Sequence, residues 1–81
     1  MYTIYVLISQ KDEKRYIGVT SKDANTRTRE HNSNKSKFTR GYQPWKLVYT
    51  EQYDNKKESS DRERFLKSGQ GRKWLDKKLK K

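Results

Sequence analysis

The sequence predicts a small α+β domain in which a three-stranded sheet is flanked by helices. Runs rich in β-branched and aromatic residues occur at 2–8, 15–19 and 45–53, as is typical of strands. Polar segments that contain helix-capping residues lie between and after these runs. Because 81 residues can enclose only one hydrophobic core, we expect a single domain over residues 1–81, ending in a basic helix and tail.

The first predicted strand, residues 2–8, carries apolar side chains on both faces. Ile4 and Val6 point to one face, whereas Tyr5 and Leu7 point to the other. A strand with two apolar faces is typical of the centre of a sheet that is covered on both sides.

A β-hairpin is predicted next, because residues 9–14 are polar and strand character resumes from Arg15 to Val19. Gly18 lies on the same strand face as Tyr16 and has no side chain. We therefore expect it to leave room for a ligand to approach the backbone.

The third strand is predicted over residues 45–53, after a long basic loop at 33–44. Strict alternation along this strand would place Leu47 and Tyr49 on one face and Val48 on the other.

The first predicted helix begins at a cap formed by Ser21 or Asp23 and ends at about Asn32. It has almost no apolar stripe. Its best inward face, at spacing i, i+3, i+4 and i+7, consists of Ala24, Arg27, Thr28 and His31. A helix with Arg and His at inward positions, where Leu is usual, is either marginally stable or lines a functional site.

Two further helices are predicted after the third strand. Asn55 and Glu58 form a capping-box-like start, and this helix continues to about Lys67. Ser68 and Gly69 are expected to end it. A last short helix is predicted after Gly71, with apolar contacts from Trp74, Leu75 and Leu79.

Composition excludes several functional classes. The absence of cysteine excludes a disulfide scaffold, a thiol nucleophile and a thiolate zinc site, and the single histidine, His31, excludes a histidine-only metal site. The longest apolar run, Ile4–Ile8, is too short to span a bilayer or to form a signal-peptide core. We therefore expect a cytoplasmic protein that does not bind membranes.

The charge balance predicts a polyanionic partner. Lys and Arg number 21 against 10 acids, which gives a net charge of +11. Such density on a small domain indicates a polyanion, most often nucleic acid, and leaves the choice between DNA and RNA open; a monomer or weak dimer is expected. The alternative interpretation of this charge is a solvated protein surface without a specific partner. The candidate nucleic-acid-binding residues are Lys35, Lys37, Arg40, Arg72, Lys73, Lys77 and Lys78.

Common catalytic motifs are absent: the sequence has no Gly-flanked nucleophilic serine, no Walker-type loop and no dinucleotide glycine fingerprint. The remaining candidates are tyrosines, arginines and carboxylates, which suit phosphodiester hydrolysis. A carboxylate can hold a divalent metal, an arginine can bind the charged transition state, and a tyrosine can take or relay a proton.

Five short motifs in order resemble the GIY-YIG nucleases, in particular small single-domain bacterial members that are labelled excision-repair-nuclease-like. The resemblance covers roughly residues 2–79. The motifs are Thr3-Ile4-Tyr5, Tyr16-Ile17-Gly18-Val19-Thr20, Arg27 with Glu30-His31-Asn32, Trp45-Lys46-Leu47-Val48-Tyr49, and Glu63-Arg64-Phe65-Leu66-Lys67-Ser68-Gly69. This family's fold is a three-stranded antiparallel sheet flanked by helices, in agreement with the strand and helix patterns above.

The resemblance also implies roles for individual residues. Tyr5 and Tyr16 would lie near the scissile phosphate, Arg27 would be the catalytic arginine, and His31 would belong to the same catalytic set. Glu63 would bind one Mg²⁺ (or Mn²⁺) ion. The implied reaction is metal-dependent hydrolysis of DNA phosphodiester bonds, in repair or in processing of irregular DNA, with low sequence selectivity.

Alternatives remain for these residues and for the function. Tyr5 could be a core tyrosine, Arg27 could pair with Glu30 or Asp23 on its own helix, and Glu63 could form a surface ion pair. A non-cleaving, basic nucleic-acid-binding module on the same fold is the alternative function. It is favoured by the lack of any Asn after Glu63 and by one extra residue before Arg27 relative to the family.

Overall fold

A computed structural model describes residues 1–33 and 41–79 of the chain. The described elements, in chain order, are β1 (Tyr2–Ser9), β2 (Arg15–Thr20), α1 (Ala24–Asn32), β3 (Trp45–Tyr53), α2 (Lys56–Lys67) and α3 (Gly69–Lys78). The three strands form an antiparallel sheet in the order β2-β1-β3, which confirms the predicted α+β class. No described helix is long and apolar enough to cross a membrane.

The central strand β1 is buried on both faces, as its sequence predicts. On one face Ile4 and Val6 pack with residues of β2, α2 and α3, including Leu66 and Leu75. On the other face Tyr5 and Leu7 pack with residues of α1 and β3. Burying one such aliphatic side chain contributes about 1.5–3 kcal/mol, so these two cores fix the sheet between α1 and the α2–α3 pair.

A β-bulge in β3 overturns the prediction that Leu47 and Tyr49 share a face. Leu7 pairs with Leu47, but the preceding residue of β1, Val6, pairs with Tyr49, so Val48 is an extra residue. Leu47 consequently packs on the α1 face, whereas Tyr49 packs on the α2–α3 face. The prediction was wrong because one inserted residue reverses the alternation of side chains beyond it.

The turn between α2 and α3 is tighter than the glycines predict. Ser68 both ends α2 and caps α3, because its Oγ accepts a hydrogen bond from the Gly71 backbone nitrogen at 3.2 Å. The last helix therefore begins at Gly69, and the prediction that it follows Gly71 was wrong. A Cβ on Gly71 would lie 1.9 Å from the Phe65 carbonyl oxygen, so this glycine permits close packing of the two helices.

The predicted helix caps are confirmed. Asp23 caps α1 by accepting a hydrogen bond from the Thr26 backbone nitrogen at 3.1 Å. Asn55 caps α2 in the same way, with the Glu58 nitrogen as donor at 2.8 Å. Each cap satisfies a backbone donor that has no partner within the helix.

The end of α1 is fixed to the start of β3 by Asn32. Its side-chain nitrogen donates to the Trp45 carbonyl oxygen at 3.0 Å, and its side-chain oxygen accepts from the Trp45 nitrogen at 2.6 Å. This paired contact holds α1, which has little apolar surface of its own, against the sheet.

Candidate active site

A cleft of about 340 Å³ lies beside β2, between α1 and α2. Four of the five predicted catalytic residues line it, and each comes from a different element: Tyr5 from β1, Tyr16 from β2, Arg27 from α1 and Glu63 from α2. The other lining residues are Tyr2, Gly18, Val19, Thr20, Ser21, Lys56 and Ser60. The fold therefore brings together groups that are far apart in the sequence.

Tyr5 forms the floor of this cleft. Its side chain is almost fully buried, and its hydroxyl and His31 Nε2 share a hydrogen bond of 3.0 Å. Burial, reinforced by the neighbouring Tyr16, raises the pKa of Tyr5 to about 12 in spite of the opposing effect of Arg27. The Tyr5 hydroxyl therefore keeps its proton at neutral pH and is available for hydrogen bonding.

Gly18 makes room for the ring of Tyr5 and also lines the cleft. The two residues pair across β1 and β2, and a Cβ on Gly18 would lie 2.5 Å from the Tyr5 hydroxyl oxygen. A side chain at this position would collide with Tyr5, and the approach of a ligand to the Gly18 backbone stays a prediction.

Tyr16 is half-buried and held among other rings. Its ring centroid lies 6.1 Å from that of Tyr5, 4.9 Å from that of His31 and 6.1 Å from that of Trp45. Such tilted and edge contacts between rings restrict the orientation of the side chain. Tyr16 thus presents a positioned phenol to the cleft.

His31 lies behind the two tyrosines and does not line the cleft. Its side chain is fully buried, and its backbone carbonyl accepts a hydrogen bond from Gln43 Nε2 at 2.7 Å. Burial and the nearby Arg27 guanidinium lower the pKa of His31, although Glu30 opposes them, so the ring is neutral at neutral pH. The structure therefore places His31 where it can orient Tyr5 but cannot touch a substrate in the cleft.

Arg27 is held by a carboxylate between two cations. Arg27 Nη1 donates to Glu30 Oε1 at 2.8 Å, and Lys22 Nζ donates to Glu30 Oε2 at 2.8 Å. These two hydrogen bonds, from Lys22 first and Arg27 second, lower the pKa of Glu30 to about 2. About a third of the Arg27 side chain remains exposed, so the guanidinium is fixed and still accessible from the cleft.

The sequence interpretation missed two cations near this site. Lys22 precedes α1, so no helical spacing relates it to Glu30. Lys56 lines the cleft with Ser60 and Glu63, and the spacing i, i+4 and i+7 on α2 was a signal that could have identified it. Of the two partners considered for Arg27, the structure shows Glu30, while Asp23 caps the helix.

Glu63 is the only acid among the described residues that line the cleft. Its side chain is 27% exposed and pairs with Lys67 Nζ at 2.9 Å, four residues later on α2. Nowhere in the described parts of the chain do three or more His, Cys, Asp or Glu side chains cluster. A single hard oxygen ligand beside an open cleft fits Mg²⁺ or Mn²⁺, because Mg²⁺ commonly keeps several waters and takes its other ligands from phosphate.

The predicted nucleic-acid-binding residues divide into two groups. Lys35, Lys37 and Arg40 lie outside the described residues. On α3, the side chains of Arg72, Lys73, Lys77 and Lys78 are exposed, as binding to a polyanion requires. Their role in binding stays a prediction.

Comparison with known proteins agrees with this arrangement. The GIY-YIG family model, described as the GIY-YIG catalytic domain, matches residues 1–78. UPF0213 protein CPE1444 of Clostridium perfringens is 41% identical over 68 residues, which are 83% of this chain and 71% of that protein. UPF0213 protein NP_0776A of Natronomonas pharaonis is 41% identical over 66 residues, which are 80% of this chain and 75% of that protein.

No solved structure matches the chain. The family model nevertheless spans almost all of the sequence, and the relatives are similar over most of their own length. The chain therefore belongs to the GIY-YIG family, whose catalytic domain is a nuclease domain.

Proposed function

We propose that this protein is a divalent-metal-dependent endonuclease that hydrolyses phosphodiester bonds of DNA. The observation that carries the proposal is the convergence of Tyr5, Tyr16, Arg27 and Glu63 on one cleft. These side chains supply a fixed cation, a phenol at the surface of the cleft, a hydrogen-bonding phenol at its floor and a carboxylate.

Arg27 stabilises the negative charge that develops on the phosphoryl oxygens during hydrolysis. Its ion pair with Glu30 fixes the guanidinium before the substrate binds, so little reorganisation is needed in the transition state. A planar guanidinium also suits recognition of phosphate oxygens through two parallel hydrogen bonds.

Tyr16 is the residue that takes or relays the proton of the attacking water. Tyr5 is less suited to this role because its side chain is almost fully buried and its hydroxyl is hydrogen-bonded to His31. We assign Tyr5 to a hydrogen bond within the site and His31 to the positioning of Tyr5 through their 3.0 Å contact.

Glu63 would hold one Mg²⁺ or Mn²⁺ ion, which supplies positive charge near the leaving oxygen when it is bound. The Glu63 carboxylate has Lys67 as its ion-pair partner, and the Lys67 side chain is 54% exposed. Exchanging a surface ion pair of this kind for a metal costs at most about 1 kcal/mol.

The cleft favours recognition of the nucleic-acid backbone over recognition of bases. No Asn or Gln, the side chains that read adenine, is among the described residues lining it. We therefore include in the proposal that the substrate is selected by shape, as in repair or processing of irregular DNA.

The test is nicking of supercoiled plasmid in Mg²⁺ or Mn²⁺, with and without a chelator, by the wild type and by Glu63→Gln. This substitution keeps the size of the side chain and removes its charge, so we expect cleavage to collapse while DNA binding persists or tightens. Asp61→Asn is the matched control, since Asp61 is an exposed acid of α2 outside the cleft. Metal-dependent nicking that survives in Glu63→Gln would remove Glu63 from the site.

The same assay separates this proposal from the alternative of a non-cleaving binding module, which the net charge of +11 also favours. DNA binding by the wild type without nicking in either metal would favour the alternative. Parallel reactions on an RNA strand of the same sequence would decide between the two nucleic acids.

The two tyrosine assignments are tested by Tyr16→Phe and Tyr5→Phe in the same assay. Each variant loses only a hydroxyl. We expect Tyr16→Phe to lower turnover by roughly 10²–10⁴-fold, the usual contribution of general acid–base catalysis, and Tyr5→Phe to have a smaller effect. Equal turnover in Tyr16→Phe and in the wild type would end the assignment of Tyr16.

A further inference from the structure

A second groove, of about 420 Å³, follows the outer edge of β2, which is an edge strand of the described sheet. We call it the edge groove. Its lining combines strand residues with residues of α2 and α3: Lys14, Arg15, Tyr16, Ile17, Lys67 and Arg72.

The edge groove is strongly cationic. Four of its six lining residues are Lys or Arg, and none is an acid. Two of these cations have carboxylate partners outside the lining: Arg15 pairs with Asp76 at 2.7 Å and Lys67 with Glu63 at 2.9 Å.

The other two cations of the groove, Lys14 and Arg72, form no ion pair among the described residues. The Lys14 ammonium contacts Tyr42, whose hydroxyl accepts its hydrogen bond at 3.2 Å and whose ring centroid lies 4.5 Å from its Nζ. A concave surface with two cations that are not neutralised attracts an anionic ligand.

The edge groove adjoins the cleft at two points. Tyr16 lines both. Lys67, which lines the groove, is hydrogen-bonded to Glu63, which lines the cleft. Because the two concave surfaces adjoin, a chain-like anion with one phosphate in the cleft has neighbouring phosphates close to the groove.

We propose that the edge groove binds the backbone phosphates of the cleaved strand on one side of the scissile bond, with Lys14 and Arg72 as the phosphate-binding residues. This proposal rests on the proposed function, because it assumes that the scissile phosphate occupies the cleft. It adds a second phosphate-binding site. It also gives the DNA strand a direction on the protein, along β2 toward the junction of α2 and α3.

The test compares Lys14→Ala/Arg72→Ala with Lys11→Ala/Lys57→Ala. Both double variants lose two positive charges, and Lys11 and Lys57 are exposed residues that line neither the cleft nor the groove. Binding of a fluorescent single-stranded DNA is measured in a chelator, where no cleavage occurs, over a series of salt concentrations.

We expect the groove variant to reduce the slope of log K against log salt by about 1.4, since each phosphate contact on a single strand contributes about 0.7. The control variant should keep the slope of the wild type. Equal slopes for the two double variants would overturn the proposal that the edge groove binds phosphates, while leaving the proposed function intact. Absence of binding or of nicking by the wild type would instead overturn the proposed function.

A second measurement locates the contacts along the strand. It uses a branched DNA, whose branch point fixes the register and whose cleavage site is first mapped in Mg²⁺ or Mn²⁺. Single phosphates of this DNA are replaced one at a time by uncharged methylphosphonates, and the affinity of each DNA is measured in a chelator for the wild type and for Lys14→Ala/Arg72→Ala. In the wild type we expect losses at positions on one side of the scissile bond, and in the variant we expect these losses to disappear. The same pattern of losses in both proteins would overturn the proposal.

Discussion

Two clusters of this protein are built from the same residue types, an arginine, a glutamate and two tyrosines, but they are arranged differently. In the first, Arg62 binds Glu51 through Nε at 3.0 Å and through Nη2 at 3.1 Å. The hydroxyls of Tyr49 and Tyr53 donate to the same carboxylate at 2.5 and 2.8 Å. The guanidinium also lies over two aromatic rings, those of Phe65 and Trp74.

In the second cluster, the groups do not converge on the carboxylate. Arg27 gives a single nitrogen to Glu30, whose other oxygen binds Lys22. Tyr5 bonds to His31 instead, and Tyr16 packs against the neighbouring rings. Arginine and both tyrosines consequently line an open cleft.

The comparison shows that residue composition alone does not distinguish a structural cluster from a candidate catalytic one. The distinction is whether the hydrogen-bonding groups satisfy one another or face a space that a substrate can enter. Glu51 accepts four hydrogen bonds and joins β3 to α2, so the Arg62 cluster is interpreted as a stabilising contact. In the Arg27 cluster, Glu30 and His31 bind the arginine and Tyr5, and the arginine and both tyrosines line the cleft.

Of the effects that compare the two clusters, the largest is expected on turnover, from Arg27→Ala. Loss of one donor that stabilises a transition state typically lowers kcat by about 10²–10³-fold, or about 2.7–4 kcal/mol. Its effect on the free energy of unfolding should be small, because Arg27 makes one partly exposed ion pair. The checks are single-turnover cleavage and urea denaturation of the same preparation. A large loss of stability with unchanged turnover would show that Arg27 stabilises the fold and does not act in catalysis.

The next largest effect is expected on stability, from Glu51→Gln. The substitution removes the charge that neutralises Arg62 and weakens the hydrogen bonds from Tyr49 and Tyr53, at a site where the Glu51 side chain is only 13% exposed. We expect a loss of about 2 kcal/mol in the free energy of unfolding, measured by urea denaturation. Asp54→Asn, at an exposed acid just after β3, is the control. If both variants unfolded at the same urea concentration, the Arg62 cluster would not be a stabilising contact.

Local features of this comparison could be predicted from the sequence, because they depend on neighbouring residues. The strand over residues 45–53 and the caps at Asp23 and Asn55 were predicted from such signals, and all three are confirmed. The pairing of Arg27 with Glu30 was considered, since residues three apart on a helix are neighbours.

Features that depend on tertiary packing could not be predicted. Arg62 and Glu51 lie on different elements, and no periodicity relates them. The bulge at Val48 has no side-chain signal, yet it decides which residues of β3 face each core. The burial of His31 follows from the docking of α1, which Asn32 fixes through backbone contacts with Trp45.

The smallest effect, a difference in pH dependence, would distinguish the clusters without changing turnover. The pKa of His31 is lowered from its ordinary value of 6.5 by burial and by Arg27, although Glu30 opposes the shift. The unfolded chain therefore binds more protons than the folded chain as the pH falls below about 6.5. Stability is complete above that pH and is lost as the pH falls toward the folded-state pKa.

The carboxylates of Glu51 and Glu30 affect stability at lower pH than His31 does. Burial alone would raise the pKa of Glu51, but the hydrogen bonds from Arg62, Tyr49 and Tyr53 hold it below the ordinary 4.5. Its contribution to stability is present above about 4.5 and is lost as the pH falls through the folded-state value. The pKa of Glu30 is lowered to about 2, so its contribution is lost between pH 4.5 and about 2.

We therefore expect two separate losses of stability on acidification, measured as the urea midpoint from pH 7.5 to 3. His31→Gln, which retains a side chain able to hydrogen-bond Tyr5, should remove the loss that begins near pH 6.5 and leave the loss below 4.5. Glu51→Gln should leave the loss of stability that begins near pH 6.5 unchanged and should reduce the loss below pH 4.5, because Glu51 is the member of the Arg62 cluster that titrates in the lower range. A His31→Gln protein that still lost stability between pH 6.5 and 5 would show that another group titrates in this range. The neutral, buried histidine behind the cleft would then not be the group whose protonation destabilises the fold in this pH range.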